Sequence, residues 1–243
     1  MIADLRHLWQ EAFGDSEETL DNFFATGFSP DRFRCIYEAG RPVSALYWFD
    51  CTLDGHKLAY LYAVATLKSH RGQGLARQLM LEAHEILKSS GYAGAILVPG
   101  EKELFSYYEK LGYRATTKTE EFSAAATTST VYIYEISPAE YAAWRGSYLP
   151  EDGVWQQGET LSYLATYARF YKGEDFLLSA TKEEETLIVH EILGNTDCCG
   201  HILCALGCKT GHFRTPGEGR DFAMYLPLQE DCPAPAYFGL ALD

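Results

Sequence analysis

The sequence predicts an α/β fold in which helices flank a sheet, and three observations lead there. The stretch Tyr60–Tyr113 divides into strand, glycine-rich turn, helix, strand and helix. Asp54-Gly55, set between apolar runs, is a strong hairpin signal. From Val131 the chain then restarts the order of its first half: two helices, a hairpin, and a strand feeding a helix. That repetition is what an internal duplication would leave.

The elements follow in order. Leu5, Leu8, Trp9, Ala12 and Phe13 recur at helical spacing up to Gly14, and Asp15-x-x-Glu18 reads as a capping box opening a helix through Phe24. Arg32–Glu38 and Pro42–Cys51 read as strands about a turn at Gly40, and Lys57–Thr66 as the next strand. The apolar positions 75, 79, 83, 86 and 87 make one face of a helix that Gly91 ends. Gly94–Val98 is a short strand, Glu101–Leu111 a helix, and Arg114–Ala126 a strand. The Thr/Ser/Ala-rich stretch Ala124–Thr130 marks a boundary, giving domains 1–126 and 131–243. In the second, Val131–Ile136 reads as a strand, Pro138–Trp144 and Thr160–Tyr171 as helices, and Asp175–Ala180 with Thr186–Leu193 as a hairpin. Cys198–Leu206 is a helix, followed by strands near Gly211–Arg214, Phe222–Leu226 and Tyr237–Leu242.

The chemistry concentrates at Arg71-Gly72-Gln73-Gly74, where two glycines let the backbone turn sharply onto a helix start. A strand that opens through glycines onto a helix N-terminus presents unpaired N–H groups and the positive end of the helix dipole, an anion site that usually holds phosphate. A Walker loop would need Gly-Lys-Ser/Thr, which is absent, and a dinucleotide fingerprint fails because Arg77 stands in the third glycine's place. What remains is Arg71-x-x-Gly74-x-Ala76 after a strand, with Tyr108-Glu-Lys-Leu-Gly112-Tyr113 some thirty residues on. In both features the chain resembles the GNAT superfamily of acetyl-CoA-dependent N-acetyltransferases.

That resemblance implies a mixed, mostly antiparallel sheet over residues 1–126, here without the family's usual first strand. It implies a second, smaller GNAT-like half over 131–243. It places the acetyl-CoA pyrophosphate on the amides of Arg71, Gly72, Gln73, Gly74, Leu75 and Ala76, and the pantetheine arm along Ala63, Val64, Ala65 and Thr66. The Val64 amide becomes the donor to the thioester oxygen, and Tyr108 the acid that protonates the departing thiolate, with Tyr107 one position out of register. The family often places a Glu on the motif strand as base, but this strand offers only Tyr60 and Tyr62. Water-mediated deprotonation is therefore expected, with Asp50, Glu121 or the C-terminal Asp243 as possible helpers. In the second half Asn195-Thr196-Asp197-Cys198-Cys199-Gly200 stands where the loop would be, and Asp197 would repel a pyrophosphate.

The bulk properties exclude other classes. The net charge is −14, with 13 Lys/Arg against 17 Asp/Glu in residues 1–130 and 7 against 17 in residues 131–243. This disfavours nucleic acid and anionic membranes as partners, while an acidic second half serves solubility first and also suits a cationic substrate such as a small-molecule or peptide amine. No apolar run approaches the ~18 residues of a membrane span, and the start of the chain lacks a targeting signature, so a cytoplasmic protein is expected. The seven cysteines are expected to be free thiols. Cys204 and Cys208 lie one helical turn apart in an apolar run, which suits packing, so no metal is expected. His84 and His190 read as packing or surface histidines, and Glu183–Glu185 as a solvated hairpin tip.

Overall fold

The computed structural model describes residues 2–242. Its helices are α1 (Ile2–Phe13), α2 (Glu17–Thr26), α3 (Leu75–Ser89), α4 (Glu103–Glu109), α5 (Pro138–Tyr148), α6 (Glu159–Leu164) and α7 (Cys199–Ala205). The first strands are β1 (Phe33–Glu38), β2 (Arg41–Leu53), β3 (His56–Thr66), β4 (Gly94–Leu97), β5 (Arg114–Ala115), β6 (Lys118–Ala125) and β7 (Ile133–Ile136). The rest are β8 (Trp155–Gln156), β9 (Arg169–Gly173), β10 (Phe176–Glu183), β11 (Thr186–Gly194), β12 (Thr210–Pro216), β13 (Arg220–Asp221) and β14 (Met224–Pro227).

Two compact units result, one from residues 1–114 with 224–233, the other from 115–223 with 234–243. Each contains a mixed, mostly antiparallel sheet, in the orders β1-β2-β3-β4-β14-β5 and β13-β6-β12-β11-β10-β9-β7. The boundary expected at residues 126–131 is thereby corrected. β6 pairs along its length with β12, so Lys118–Ala125 belongs to the second sheet. The compensating strand is β14, which lies antiparallel to β4 and returns residues 224–227 to the first sheet. The second unit is slightly the smaller of the two, as expected.

In the first unit α3 covers one face of the sheet, and Leu79, Met80, Ala83 and Leu87 pack there with Leu46, Trp48, Ala59 and Leu61. Alternation along β2 and β3 sends the next residues to the opposite face, as the two-residue period of a strand requires. There Tyr47, Phe49 and Tyr62 meet Phe23 of α2, which packs edge-on against Trp9 of α1, while Tyr60 stacks on Phe49. The α2 cap is Ser16, whose hydroxyl accepts from the Thr19 amide at 3.0 Å, rather than the Asp15/Glu18 box read from the sequence. The motif fits either register, and the serine lies one residue closer to the first apolar turn.

In the second unit the core gathers Phe176, Leu178, Ile192, Ile202, Leu203 and Phe213. The box that opens α5 is reciprocal: Ser137 caps the Glu140 amide while Glu140 returns to the Ser137 amide, with Pro138 in the first turn. Two expectations fail in this half. The helix read over Thr160–Tyr171 ends at Leu164, and Arg169–Gly173 is instead a strand between β7 and β10. Leu161, Leu164, Ala165 and Ala168 keep helical spacing, but Phe170 and Tyr171 find ladder partners on both sides, and tertiary pairing overrides a weak periodic signal. Tyr237–Leu242, read as a strand, makes no ladder. It docks through paired hydrogen bonds between Gln156 and the Leu240 backbone and through the Val154 amide to the Tyr237 carbonyl, with one isolated bridge to Gly153.

Candidate functional site

β3 is the element on which the site is built. It pairs in parallel with β4 only over Leu58–Tyr60, so from Leu61 to Thr66 its β4-side edge carries no ladder. On the other edge it pairs with β2, and between Tyr62↔Tyr47 and Ala65↔Ala45 it holds one residue more than its partner. This bulge contains Ala63 and Val64 opposite Leu46, and Ala63 adopts φ +52°, a left-handed conformation rare for a residue with a side chain. Such a conformation costs of order 1–2 kcal/mol in an L-residue. The indole of Trp9, 1% exposed, donates to the Ala63 carbonyl at 3.1 Å. The side chain of Val64 packs against the α3-side core.

Beyond Thr66 a short 3-10 turn, Lys68–His70, leads into the loop. Gly72 and Gly74 have φ of +78° and +81°, values that only glycine reaches without strain. Gly74 is the N-cap of α3 and its carbonyl accepts from the Gln78 amide, so the amides of the first turn have no intrahelical acceptor. Arg71, Gly72, Gln73 and Gly74 are all exposed, and Leu75 and Ala76 partly so. Residues 67–78 contain Lys68, His70, Arg71 and Arg77 and no carboxylate, a basic patch in a strongly acidic chain. Arg71 also holds the loop, its Nε donating to the Thr66 carbonyl at 3.2 Å. A pyrophosphate fits this arrangement: open space at Gly72 and Gly74, first-turn amides without an intrahelical acceptor, the helix dipole and cationic side chains coincide, although the Arg71 amide itself donates to the Lys68 carbonyl.

Tyr108 lies on α4, 8% exposed, among Leu79, Met80, Leu111 and Tyr113. Burial, with a smaller contribution from Tyr107, pushes its phenol up to about 12. The Tyr107 hydroxyl is buried with no hydrogen-bond partner among the described residues.

The expected helpers are placed elsewhere or are engaged. Asp50 stands opposite Ala59, five residues from Val64 and so ~16 Å along the strand at ~3.3 Å per residue. It accepts from the Tyr92 hydroxyl at 2.5 Å and lies 3.3 Å from Lys57. Glu121 belongs to β6 of the second unit, where Arg214 and Arg220 bind it. Asp243 lies outside the described residues. His84 is buried against the Tyr113 hydroxyl at 2.8 Å, and desolvation lowers its pKa to about 4. His190 is bound to Thr181 at 2.8 Å, and Glu184–Glu185 form the exposed tip of the β10–β11 hairpin. Cys199 and Cys208 pack in the second core, and burial raises both thiols.

The open β3 edge was expected through resemblance alone, because it depends on where β4 ends, which no local pattern encodes. One feature escaped the sequence: the partnership of Trp9 with Ala63 spans 54 residues. Trp9 carried a signal only as a helical core position.

Comparison with known proteins matches residues 2–116 to the family model of the acetyltransferase (GNAT) domain. A glucosamine 6-phosphate N-acetyltransferase of Trypanosoma brucei brucei is 39% identical over 64 residues, which is 26% of this chain and 43% of that relative. The match thus spans less than half of the curated relative. Among solved structures, a GCN5-related N-acetyltransferase from Anabaena variabilis has a TM-score of 0.72 at 12% identity, covering 94% of this chain and 70% of that one. Another from Kribbella flavida has a TM-score of 0.69 at 15% identity, covering 92% and 68%. At such identities the likeness is one of fold, and it extends over both units.

Proposed function

From the match of residues 2–116 to the acetyltransferase (GNAT) domain, we propose that the protein is an acetyl-CoA-dependent N-acetyltransferase. It moves the acetyl group to a primary amine by direct transfer in a ternary complex. One observation carries the reading: the open edge of β3 runs directly into a glycine loop whose amides start α3. A phosphate-bearing carrier and an extended arm are held by those two neighbours in one continuous track. The pyrophosphate takes the amides of Gly72–Ala76, since the Arg71 amide already donates to the Lys68 carbonyl at 3.4 Å, and the pantetheine arm lies along Ala63–Thr66 as an added strand would.

Within that track the amine attacks the thioester carbonyl while the Val64 amide donates to the oxygen on which charge develops. The C–N bond forms, the C–S bond breaks, and the thiolate takes a proton from Tyr108. The phenol is protonated at neutral pH, and burial, which raises it to about 12, makes it a weaker acid than a free tyrosine. Asp50 is held by Tyr92 and Lys57, so the amine proton leaves through water. The second unit is read as a GNAT-like half without a pyrophosphate loop.

The acceptor class is a small or peptide amine, including amino sugars of the kind named for the trypanosomal relative. A panel of amino sugars, aminoglycosides, polyamines and peptides with acetyl-CoA tests this, with thiol release as readout. Tyr108→Phe should lower kcat about a hundredfold or more with little change in the KM of acetyl-CoA; an unchanged kcat removes Tyr108 from the acid role. The absence of a carboxylate on Tyr60–Thr66 favours one alternative, an acyl-CoA-binding protein without turnover. Binding of acetyl-CoA with no acceptor consumed across the panel would favour it.

A further inference from the structure

Resting on that reading of β3, we propose that Trp9 is a positioning residue, which aims the Val64 amide by locking the peptide plane between Ala63 and Val64. The argument begins with covalent geometry. In a trans peptide the carbonyl of one residue and the N–H of the next point in opposite directions. The Trp9 indole holds the Ala63 carbonyl at 3.1 Å. The Val64 N–H is therefore directed away from α1.

Three further facts make this lock consequential. The plane sits inside a bulge, where the ladder with β2 shifts register and cannot fix it as it fixes a regular strand position. The β4-side ladder has already ended at Tyr60, so that side contributes no restraint either. Ala63 is held at φ +52°, a conformation from which an alanine relaxes unless something retains it.

Trp9 is itself immobilised. It is 1% exposed, its ring meets Phe23 edge-on at 5.4 Å, and Phe24 lies at 5.7 Å. α1 and α2 thus brace a single indole, and that indole braces the bulge. A tryptophan suits the task because its N–H can only donate and its ring fixes the direction of the donor. Phenylalanine would keep much of the packing and lose the bond.

The test uses the full chain carrying Trp9→Phe, with Phe28→Leu as a control that loosens the same aromatic cluster at Phe23, Phe24 and Tyr47, away from the indole and Ala63. Two readouts are taken well below both melting temperatures. In protein labelled with 15N-valine, the Val64 amide resonance, identified by its loss in Val64→Ile, should move in Trp9→Phe and stay in Phe28→Leu. In turnover, Trp9→Phe should lower kcat about ten- to a hundredfold, less than or equal to the loss of a direct oxyanion donor, with the KM of acetyl-CoA within about threefold of wild type. A Val64 resonance unmoved by Trp9→Phe overturns the inference whether or not the protein turns over an amine. An equal fall in kcat for Phe28→Leu overturns it too, because packing alone would then explain the effect. If the Val64 resonance responds to Trp9→Phe but not to added acetyl-CoA, the positioning stands and the assignment of Val64 as thioester donor fails.

Discussion

The segments β2–β3–α3–β4 and β10–β11–α7–β12 follow one plan and differ at one place. Each is an antiparallel hairpin whose second strand carries the extra residue of a bulge, near Ala63–Val64 in one case and at His190 in the other. Each bulged strand then crosses through a helix to a parallel partner and pairs with it only briefly, over Leu58–Tyr60 and over Thr186–Val189. The difference lies in the crossover. In the first unit two glycines at positive φ open a basic loop onto a helix of 15 residues. In the second, Asn195 bonds the Asp197 amide and the helix has 7 residues, with no basic residue in the connection. The strand geometry persists without the two glycines and the basic residues. On the proposed reading, strand shape alone does not make a cofactor site, which also needs unpaired amides and the right sign of charge.

The second unit instead buries an ion pair. Arg145 and Glu191 are fully buried and joined by a two-point contact at 2.7 and 2.8 Å, and Glu191 also accepts from Tyr141 and Tyr237. Glu191 adjoins the His190 bulge, so the place matching the first unit's open bulge is tied into a satisfied ionic cluster. Breaking such a pair from one side strands a buried charge. Glu191→Ala should cost about 3–5 kcal/mol, read as a fall in the denaturant midpoint, while the melting shift caused by acetyl-CoA persists. Loss of that shift as well would mean that the two segments do not divide the work as described.

The loop offers the reciprocal test. Gly74 has φ +81°, so a β-branched residue there is strained before any ligand arrives. Gly74→Val should weaken acetyl-CoA binding on the order of a hundredfold, about 2.7 kcal/mol, by calorimetric titration. Full affinity in this variant would show that the backbone shape of the loop is not what binds.

A smaller effect separates packing from chemistry within the first unit. His84 is neutral when folded because burial lowers its pKa to about 4, whereas an unfolded chain takes up that proton near 6.5. Stability from the neutral, buried ring is therefore complete above about pH 6.5 and is lost as pH falls towards 4, by about 1.4 kcal/mol per unit. At pH 5 the deficit is about 2 kcal/mol. His84→Gln should flatten the decline in melting temperature between pH 7 and pH 5; an unchanged slope would assign the decline to other groups.

How legible all this was in the sequence varied with distance along the chain. The loop at Arg71–Gly74 and the helix after it are local, and a run of a dozen residues was enough to read them. The hairpin at Asp54-Gly55 was equally local. Strand exchange between the halves was not, because β6 and β14 are short amphipathic strands whose sequences say nothing about which sheet they join. The same holds for Arg169–Gly173, where two neighbouring strands outweigh a continuing helical period. At the site, Val64 and Ala63 were placed by resemblance, yet the bulge depends on register against Leu46 and on an indole far back in the chain. Asp50 looked available because sequence shows a carboxylate but not that Tyr92 and Lys57 hold it.

The central claim is that the first unit's loop and strand edge hold acetyl-CoA, and thermal melting with that ligand tests it most directly. At about 100 times its dissociation constant a ligand adds ~2.7 kcal/mol, which for a chain of this length raises Tm by several degrees at roughly 2–4 °C per kcal/mol. The account predicts that shift for acetyl-CoA, its absence for NAD and ATP, and its loss in Arg71→Glu. An unshifted wild-type Tm at saturating acetyl-CoA, or a shift that Arg71→Glu leaves intact, would contradict it.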